Sequence, residues 1–199
     1  MRWRFSVLET VMWVGLATAL VLSSVVLADD PKDQEVRVTN LRLKLEENQV
    51  LLSFKLAEVF DEAFERRLES GLLTGFGFQI QLVRDRKSWF DKGVDSGNLR
   101  VDTMYNAVTR EYLVNFRYDG DLIESRVVRD VDELRKAMTE FESFPAFTVE
   151  GRARQQRLRV RLRAVLGTRT ILFFIPSTVH TDWVETRKFQ MEEPKEAAE

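Results

Sequence analysis

Cysteine is absent from this 199-residue chain, and histidine occurs once. Without a thiol the chain can form no disulfide, no thiolate metal site and no cysteine nucleophile, and a single histidine excludes catalytic devices that need two. Proline is also scarce, with 4 residues, and no proline-rich linker divides the sequence. These absences favour a binding function over catalysis, and they give no reason to expect a cofactor or a metal.

Neither sign of charge dominates the sequence. The chain carries 30 Lys and Arg against 32 Asp and Glu, a net charge of −2. A chain so close to neutral is not expected to bind nucleic acid. Apolar residues make up 44% of the sequence, which is ample for the core of one domain.

The N-terminus has the order of an export signal. Arg2 and Arg4 precede an uncharged apolar run from Val11 to Leu27, and the sequence Val26-Leu27-Ala28 suits an export peptidase. This order predicts a signal peptide over residues 1–28, a short leader over 29–35 and a periplasmic or envelope location. Because the run is close to the ~20 apolar residues that a membrane span needs, an uncleaved inner-membrane anchor is the alternative.

Alternation of apolar and polar residues predicts antiparallel strands through most of residues 36–190. Residues 36–45 and 50–56 form a predicted hairpin with a bulge near Asn40. A strand from Thr74 to Arg84 places four apolar side chains on one face and glycines and glutamines on the other. Further strands are predicted within 98–128, which includes a turn at Asp119-Gly120, and at 147–150, 157–165 and 170–175, where Pro176 ends the last.

Two short amphipathic helices complete the predicted fold. The first, of about three turns, has an apolar stripe and is closed by Gly71, and the second begins at the cap Asp130 and cannot continue through Pro145. We therefore expect a mainly β or α+β fold, a single antiparallel β-rich, sandwich-like domain over 36–190 with a charged, disordered tail at 191–199. The predicted stripes are Phe60, Phe64 and Leu68 in the first helix and Val131, Leu134, Met138 and Phe141 in the second.

The first candidate binding site is the segment that follows the strand ending at Arg84. Arg84, Arg86, Trp89 and Asp91 combine charge with a large aromatic side chain, and such residues suit recognition of carboxylates, phosphates and apolar surfaces. The alternative is that the aromatic residues close one end of the sandwich while the charges pair locally.

The second candidate is an arginine-rich strand. Six arginines and no acid lie between Gly151 and Leu166, and Arg157, Arg159, Arg161 and Arg163 alternate with apolar residues. A strand would place these four side chains on one face, ~6.6 Å apart, where they could hold an anionic surface or an acidic partner protein. The alternative is that acids on neighbouring strands pair with them.

The third candidate is the segment around His180. An envelope hydrolase or transferase could use His180 with Asp182 and a hydroxyl from Ser177, Thr178 or Thr181, or could use carboxylates. No nucleophile-elbow pattern is present, so this catalytic function is the alternative to a binding domain. A purely structural anchor is a third hypothesis if residues 11–27 stay in the membrane.

Several motifs, in this order, resemble the bacterial domain of unknown function 4390 family. They include Leu52-Ser53-Phe54-Lys55-Leu56, the segment running into Arg84-Asp85-Arg86-Lys87-Ser88-Trp89, and Asp182-Trp183-Val184. The resemblance spans roughly Val36 to Phe189 and implies export, a single β-rich domain and no assigned activity. Family members are often encoded beside a membrane sensor kinase of the nitrogen-regulation type, which implies an accessory role on the envelope side with that kinase as partner.

Overall fold

The computed structural model describes residues 35–84, 92–171 and 175–191, and most of them lie in antiparallel strands. From Val36 onward the described residues form one compact unit. The predicted signal peptide, all but Glu35 of the leader, and the tail from residue 192 lie outside the described residues. Within the described ranges the elements are β1 (Arg37–Glu46), β2 (Gln49–Ala57), α1 (Glu62–Glu69), β3 (Thr74–Arg84), β4 (Lys92–Asn106), β5 (Glu111–Tyr118), β6 (Asp121–Val128), α2 (Val131–Thr139), β7 (Glu140–Thr148), β8 (Leu158–Ile171), β9 (Ile175–His180) and β10 (Val184–Glu185).

These strands form two sheets. Strands β1, β2 and β7 make a three-stranded sheet with β2 in the centre. The larger sheet has the order β10-β8-β3-β4-β5-β6, and β9 also pairs with β8. The predicted β-rich, sandwich-like fold with two short helices is therefore confirmed.

The core lies between the two sheets and is rich in aromatic rings. Phe78 of β3 lies with its ring centroid 5.0 Å from that of Phe54 in β2 and 5.2 Å from that of Phe141 in β7. Alternation places the even-numbered residues of β3 from Phe76 to Leu82 in this core, as predicted, and does the same for Leu158 to Ala164 of β8. The odd-numbered residues of β8 consequently lie on the outer face of the large sheet.

Local sequence signals explain the hairpins. The β1–β2 register shifts between Thr39 and Arg42, where Asn40 has φ 55°, which confirms the predicted bulge. Asp119 and Gly120 have φ values of 49° and 99°, the left-handed pair that a two-residue hairpin turn between β5 and β6 requires. Asn and Asp tolerate this backbone region better than other side chains, and glycine adopts it freely.

Each helix begins at an aspartate cap. The Asp61 carboxylate accepts the Phe64 N–H at 2.7 Å, and the Asp130 carboxylate accepts two N–H groups of the first turn of α2 at 2.9 and 3.0 Å. Helix α1 has 8 residues and is shorter than the three turns predicted, because Phe60 lies before the cap. The Phe60 ring still packs on Phe64, with centroids 4.6 Å apart.

Three boundaries differ from the sequence prediction. Phe141 belongs to β7 and not to the stripe of the second helix, because α2 ends at Thr139 and the strand starts at once. Pro145 lies inside β7, which tolerates a missing N–H because, among the described strands, β7 pairs only with β2 and is an edge strand. Thr170 belongs to β8, and Pro176, which was predicted to end a strand, lies within β9.

Tyr118 joins the two sheets. From the end of β5 its hydroxyl donates a hydrogen bond of 2.7 Å to the carbonyl of Ala146 in β7. The ring passes over Gly97 of β4 so closely that a Cβ at residue 97 would overlap the hydroxyl. Burial raises the pKa of Tyr118 from 10.0 to about 12.

Replacing Tyr118 with phenylalanine is expected to lower the free energy of unfolding by about 1 kcal/mol, the usual net value of one hydrogen bond. Between pH 10 and about 12 the unfolded chain loses the phenolic proton that the folded protein keeps, so stability falls as the pH rises. The advantage of the wild type over Y118F is therefore complete below pH 10 and shrinks above it. Denaturant unfolding of both proteins from pH 8 to 11.5 measures this; an advantage that does not change with pH would contradict the assignment.

A C-terminal segment, residues 181–189, covers part of the edge of β8. The Thr181 and Thr186 hydroxyls accept the N–H groups of Ala164 and Val160, each at 3.0 Å. Phe189 exchanges two backbone hydrogen bonds of 2.8 Å with Leu158. Short strand β10, between these contacts, pairs with Arg161 and Leu162 and brings its side chains beside those of β8. No helix among the described residues is long and apolar enough to cross a membrane.

Candidate binding face

Three of the four predicted arginines share one surface. Arg159, Arg161 and Arg163 lie on the outer face of β8 and are half-buried, and together with Trp183 and Glu185 they form what we name the arginine face. The predicted alignment of these side chains on one side of a strand is therefore observed. Arg157, the fourth predicted residue, precedes β8 and is exposed to solvent.

Glu185 supplies a carboxylate to this face. One of its oxygens lies 3.1 Å from the Arg161 Nε, and the other lies 3.4 Å from an Arg159 Nη. Strand β10 sets this geometry, because Glu185 is in register with Arg161. The alternative interpretation, that acids on a neighbouring strand pair with the arginines, is thus correct on this side of β8.

On the other side of β8 the partners carry no charge. Strand β3 places Gln79 opposite Arg163 and Gln81 opposite Arg161. The Gln79 amide oxygen accepts a hydrogen bond of 2.8 Å from the Arg163 Nε. Arg163 therefore has a neutral hydrogen-bond partner where Arg161 has a carboxylate.

Trp183 holds two of the guanidinium groups. The Arg161 and Arg163 Cζ atoms lie 4.8 and 4.5 Å from the centre of the indole ring. A cation over an aromatic face contributes about 0.5–1 kcal/mol at an exposed site. Contact with the ring also restricts the guanidinium groups, so less side-chain freedom is lost when their N–H groups meet an anion.

No local sequence pattern connects Trp183 directly with the arginines. A signal was present, because Trp183 and Glu185 are two residues apart, as are Arg161 and Arg163, and alternate residues of a strand share a face. The pairing of β10 with β8, however, follows from the tertiary fold and not from either local pattern.

Arg84 is the one residue of the first candidate site that the structure describes, and it does not lie on the arginine face. Arg84 is the last residue of β3 and lies in register with Leu158, whose side chain points to the core side of the sheet, opposite to Arg159. Arg86, Trp89 and Asp91 lie outside the described residues, so their part in a binding site stays a prediction.

Of the three hydroxyls considered for the third candidate site, that of Thr181 has a structural role. His180 ends β9 and is exposed, whereas Thr181 is 6% exposed and its hydroxyl is hydrogen-bonded to the Ala164 N–H and, at 3.2 Å, to the Asp182 carbonyl. A threonine that holds a strand edge in this way is not free to attack a substrate. In the part of the chain that the structure describes, no group of three or more His, Asp or Glu side chains could hold a metal ion.

The fold and this face define the class of the chain: an antiparallel β-sandwich domain with a cationic and aromatic outer surface. The chain belongs to the family described as domain of unknown function DUF4390, whose model matches residues 33–174. The resemblance noted in the sequence is thus confirmed, although the match ends before Phe189. No curated protein matches the chain, and no solved structure does.

Proposed function

We propose that this chain is a non-catalytic binding domain of the bacterial envelope that engages an acidic segment of a partner protein through the arginine face. The observation that carries the proposal is the carboxylate of Glu185 between Arg159 and Arg161, because a carboxylate within the same chain already lies at ion-pair distance from both guanidinium groups. Arg163, next along the strand, has an uncharged partner in Gln79 and offers the place for a further carboxylate.

The orientation of the side chains supports the same function. Trp183 restricts the movement of two guanidinium groups, and strand β8 fixes their spacing, so the face is largely formed before a partner arrives. Binding then costs less conformational entropy than it would for mobile surface lysines. The family resemblance favours a membrane sensor kinase as the partner, and the charged and apolar order of residues 2–28 favours export as the route to it.

An eight-residue oligoglutamate peptide with a fluorescent label is a direct probe of this function. Wild-type protein is expected to raise the anisotropy of the peptide saturably at low salt, and R161Q/R163Q to bind it at least about tenfold more weakly. One charge-assisted hydrogen bond contributes about 1.5–3 kcal/mol, and 1.4 kcal/mol corresponds to a factor of ten. Added salt should weaken wild-type binding, because exposed charges are screened.

The control is R66Q/R67Q, which removes the same charge from α1, outside the arginine face. It should bind the peptide within about twofold of the wild type. Equal loss in both variants would mean that net charge and not this face attracts the peptide, and would contradict the proposal. Vesicles of anionic phosphatidylglycerol and of neutral phosphatidylcholine form a second arm: binding to the anionic vesicles but not to the peptide would replace a protein partner with a lipid surface.

A further inference from the structure

Strand β6 has a free edge in the part of the chain that the structure describes. There it pairs with β5 alone and ends the seven-stranded sheet, and every residue from Asp121 to Val127 is exposed. Three of these are large apolar side chains, which are 56%, 52% and 60% exposed at Leu122, Ile123 and Val127. Such an edge offers unpaired N–H and C=O groups and is normally covered or blocked.

The neighbouring edge of the small sheet is blocked, but β6 is not. Strand β7 contains Pro145, register shifts against β2, and Ser143 with φ 51°, all of which prevent regular pairing. Strand β6 has neither proline nor glycine among its 8 residues. Its single bulge against β5 leaves Glu124 to Val128 in regular register with that strand.

The sequence of β6 is complementary to itself. When two copies of Asp121–Val128 are aligned antiparallel about Ser125, each Glu124 lies opposite Arg126 of the second copy. Within one chain these two side chains already form an ion pair, and the Arg126 Cζ lies 5.0 Å from the centre of the Phe116 ring. Pairing would bring two acids and two bases together on one face, with opposite charges facing across the strands.

The bulge extends the match on the other face. The β5–β6 register shifts between Phe116 and Arg117, so that Ile123 is an extra residue and Leu122 shares the outer face with Val127. Across the bulge, Val127 would lie beside Leu122 of the second copy. Within one chain, Met104, Leu113 and Val127 are exposed and lie in direct cross-strand register, so that they form an apolar row. Leu122 of the second copy would continue this row.

We propose that this chain forms a two-fold symmetric homodimer by antiparallel pairing of β6 with β6 of a second copy, centred on Ser125. The two large sheets then become one continuous sheet, and the exposed apolar residues of both edges are covered. Because the contact is limited to one strand and its neighbours, we expect a reversible dimer with a dissociation constant of about 1–100 μM.

A single introduced cysteine tests the pairing register. The chain has no natural cysteine, and Ser125 would face itself across the two-fold axis with its Cα about 4.5–5.5 Å from that of the second copy, within disulfide range. Ser125→Cys is expected to give a covalent dimer under mild oxidation at about 50 μM. The control Ser96→Cys, on an exposed position of β4, should stay mostly monomeric. Equal yields for the two variants, or no dimer of S125C, would overturn the proposal.

A charge exchange tests the complementarity. Glu124→Arg places four arginines together and is expected to weaken association at least about tenfold, whereas E124R/R126E restores opposite charges and should restore the dimer. The molar mass of each full-length protein is measured by sedimentation equilibrium, and circular dichroism checks its fold. A wild-type protein that is monomeric at 100 μM, or a dimer that E124R leaves unchanged, contradicts the proposal. The second result would also follow from association through the apolar N-terminal run.

Discussion

Replacing Phe78 with alanine is expected to lower the free energy of unfolding by about 3–5 kcal/mol. Phe78 is 1% exposed, and its ring contacts aromatic residues from both sheets, with centroid distances of 5.0 Å to Phe54, 5.7 Å to Phe76 and 5.2 Å to Phe141. Truncation removes the buried ring and leaves a cavity between the two sheets. The hydrogen-bonded backbones of the sheets cannot move close enough together to fill it. Because a domain is stable by only about 5–15 kcal/mol, this change alone brings the protein near unfolding.

Urea denaturation monitored by circular dichroism measures this effect. Val108→Ala is the control, since Val108 is 92% exposed in the turn between β4 and β5 and its truncation should change stability by less than about 0.5 kcal/mol. A Phe78→Ala cost below about 2 kcal/mol would indicate that the aromatic cluster is not the centre of the core.

Gly75→Ala is expected to destabilise the protein by about 3 kcal/mol, at the upper end for an overpacked position. A Cβ at residue 75 would overlap the carbonyl oxygen of Val101 and would lie 2.6 Å from an Asp102 carboxylate oxygen and 2.8 Å from the Asp102 Cα. Backbone atoms cannot rotate away, so β3 and β4 would have to separate where Gly75 pairs with Asp102. Asp102 is 3% exposed, and its two oxygens both lie 2.9 Å from the Nε of the exposed Arg100, so movement would also disturb the ion pair of a buried carboxylate.

Gly93→Ala in β4 is the matched control, because no atom of the described residues lies within 4 Å of the position of its added Cβ. That variant should be neutral or up to about 1 kcal/mol more stable, since alanine reduces the freedom of the unfolded chain. Thermal unfolding of the two variants should therefore shift the midpoint in opposite directions or leave G93A unchanged. An equal loss of stability in both variants would contradict this explanation. It would mean that the close contact with the β4 backbone is not the reason why residue 75 must be glycine.

Local patterns predicted the elements of the fold well. The limits of β3 follow from alternation that begins at Thr74 and continues to Leu82, and Asp119-Gly120 is placed by the backbone angles of a tight turn. Asp130 was predicted as a helix cap because its carboxylate can accept first-turn N–H groups, and it does so. Each of these signals lies within a few residues of the structure that it specifies.

Properties that depend on the arrangement of distant strands were not predictable. Pro145 is tolerated only because β7 is an edge strand, and strand order is set by packing of the whole domain. The contact of Trp183 with Arg161 and Arg163 requires β10 to pair with β8. The sequence therefore identified the arginines of the face but neither their aromatic partner nor the acid that pairs with them.

The contacts of residues 181–189 with β8 make this segment part of the folded domain. The family match ends at residue 174, whereas Thr181, Thr186 and Phe189 complete the edge of β8 by hydrogen bonds. A chain cut at the matched boundary would keep the arginines but lose Trp183 and Glu185, and would leave part of β8 as a bare edge open to aggregation. Fragment boundaries for expression should therefore be drawn beyond Phe189, even though sequence comparison recognises a shorter stretch.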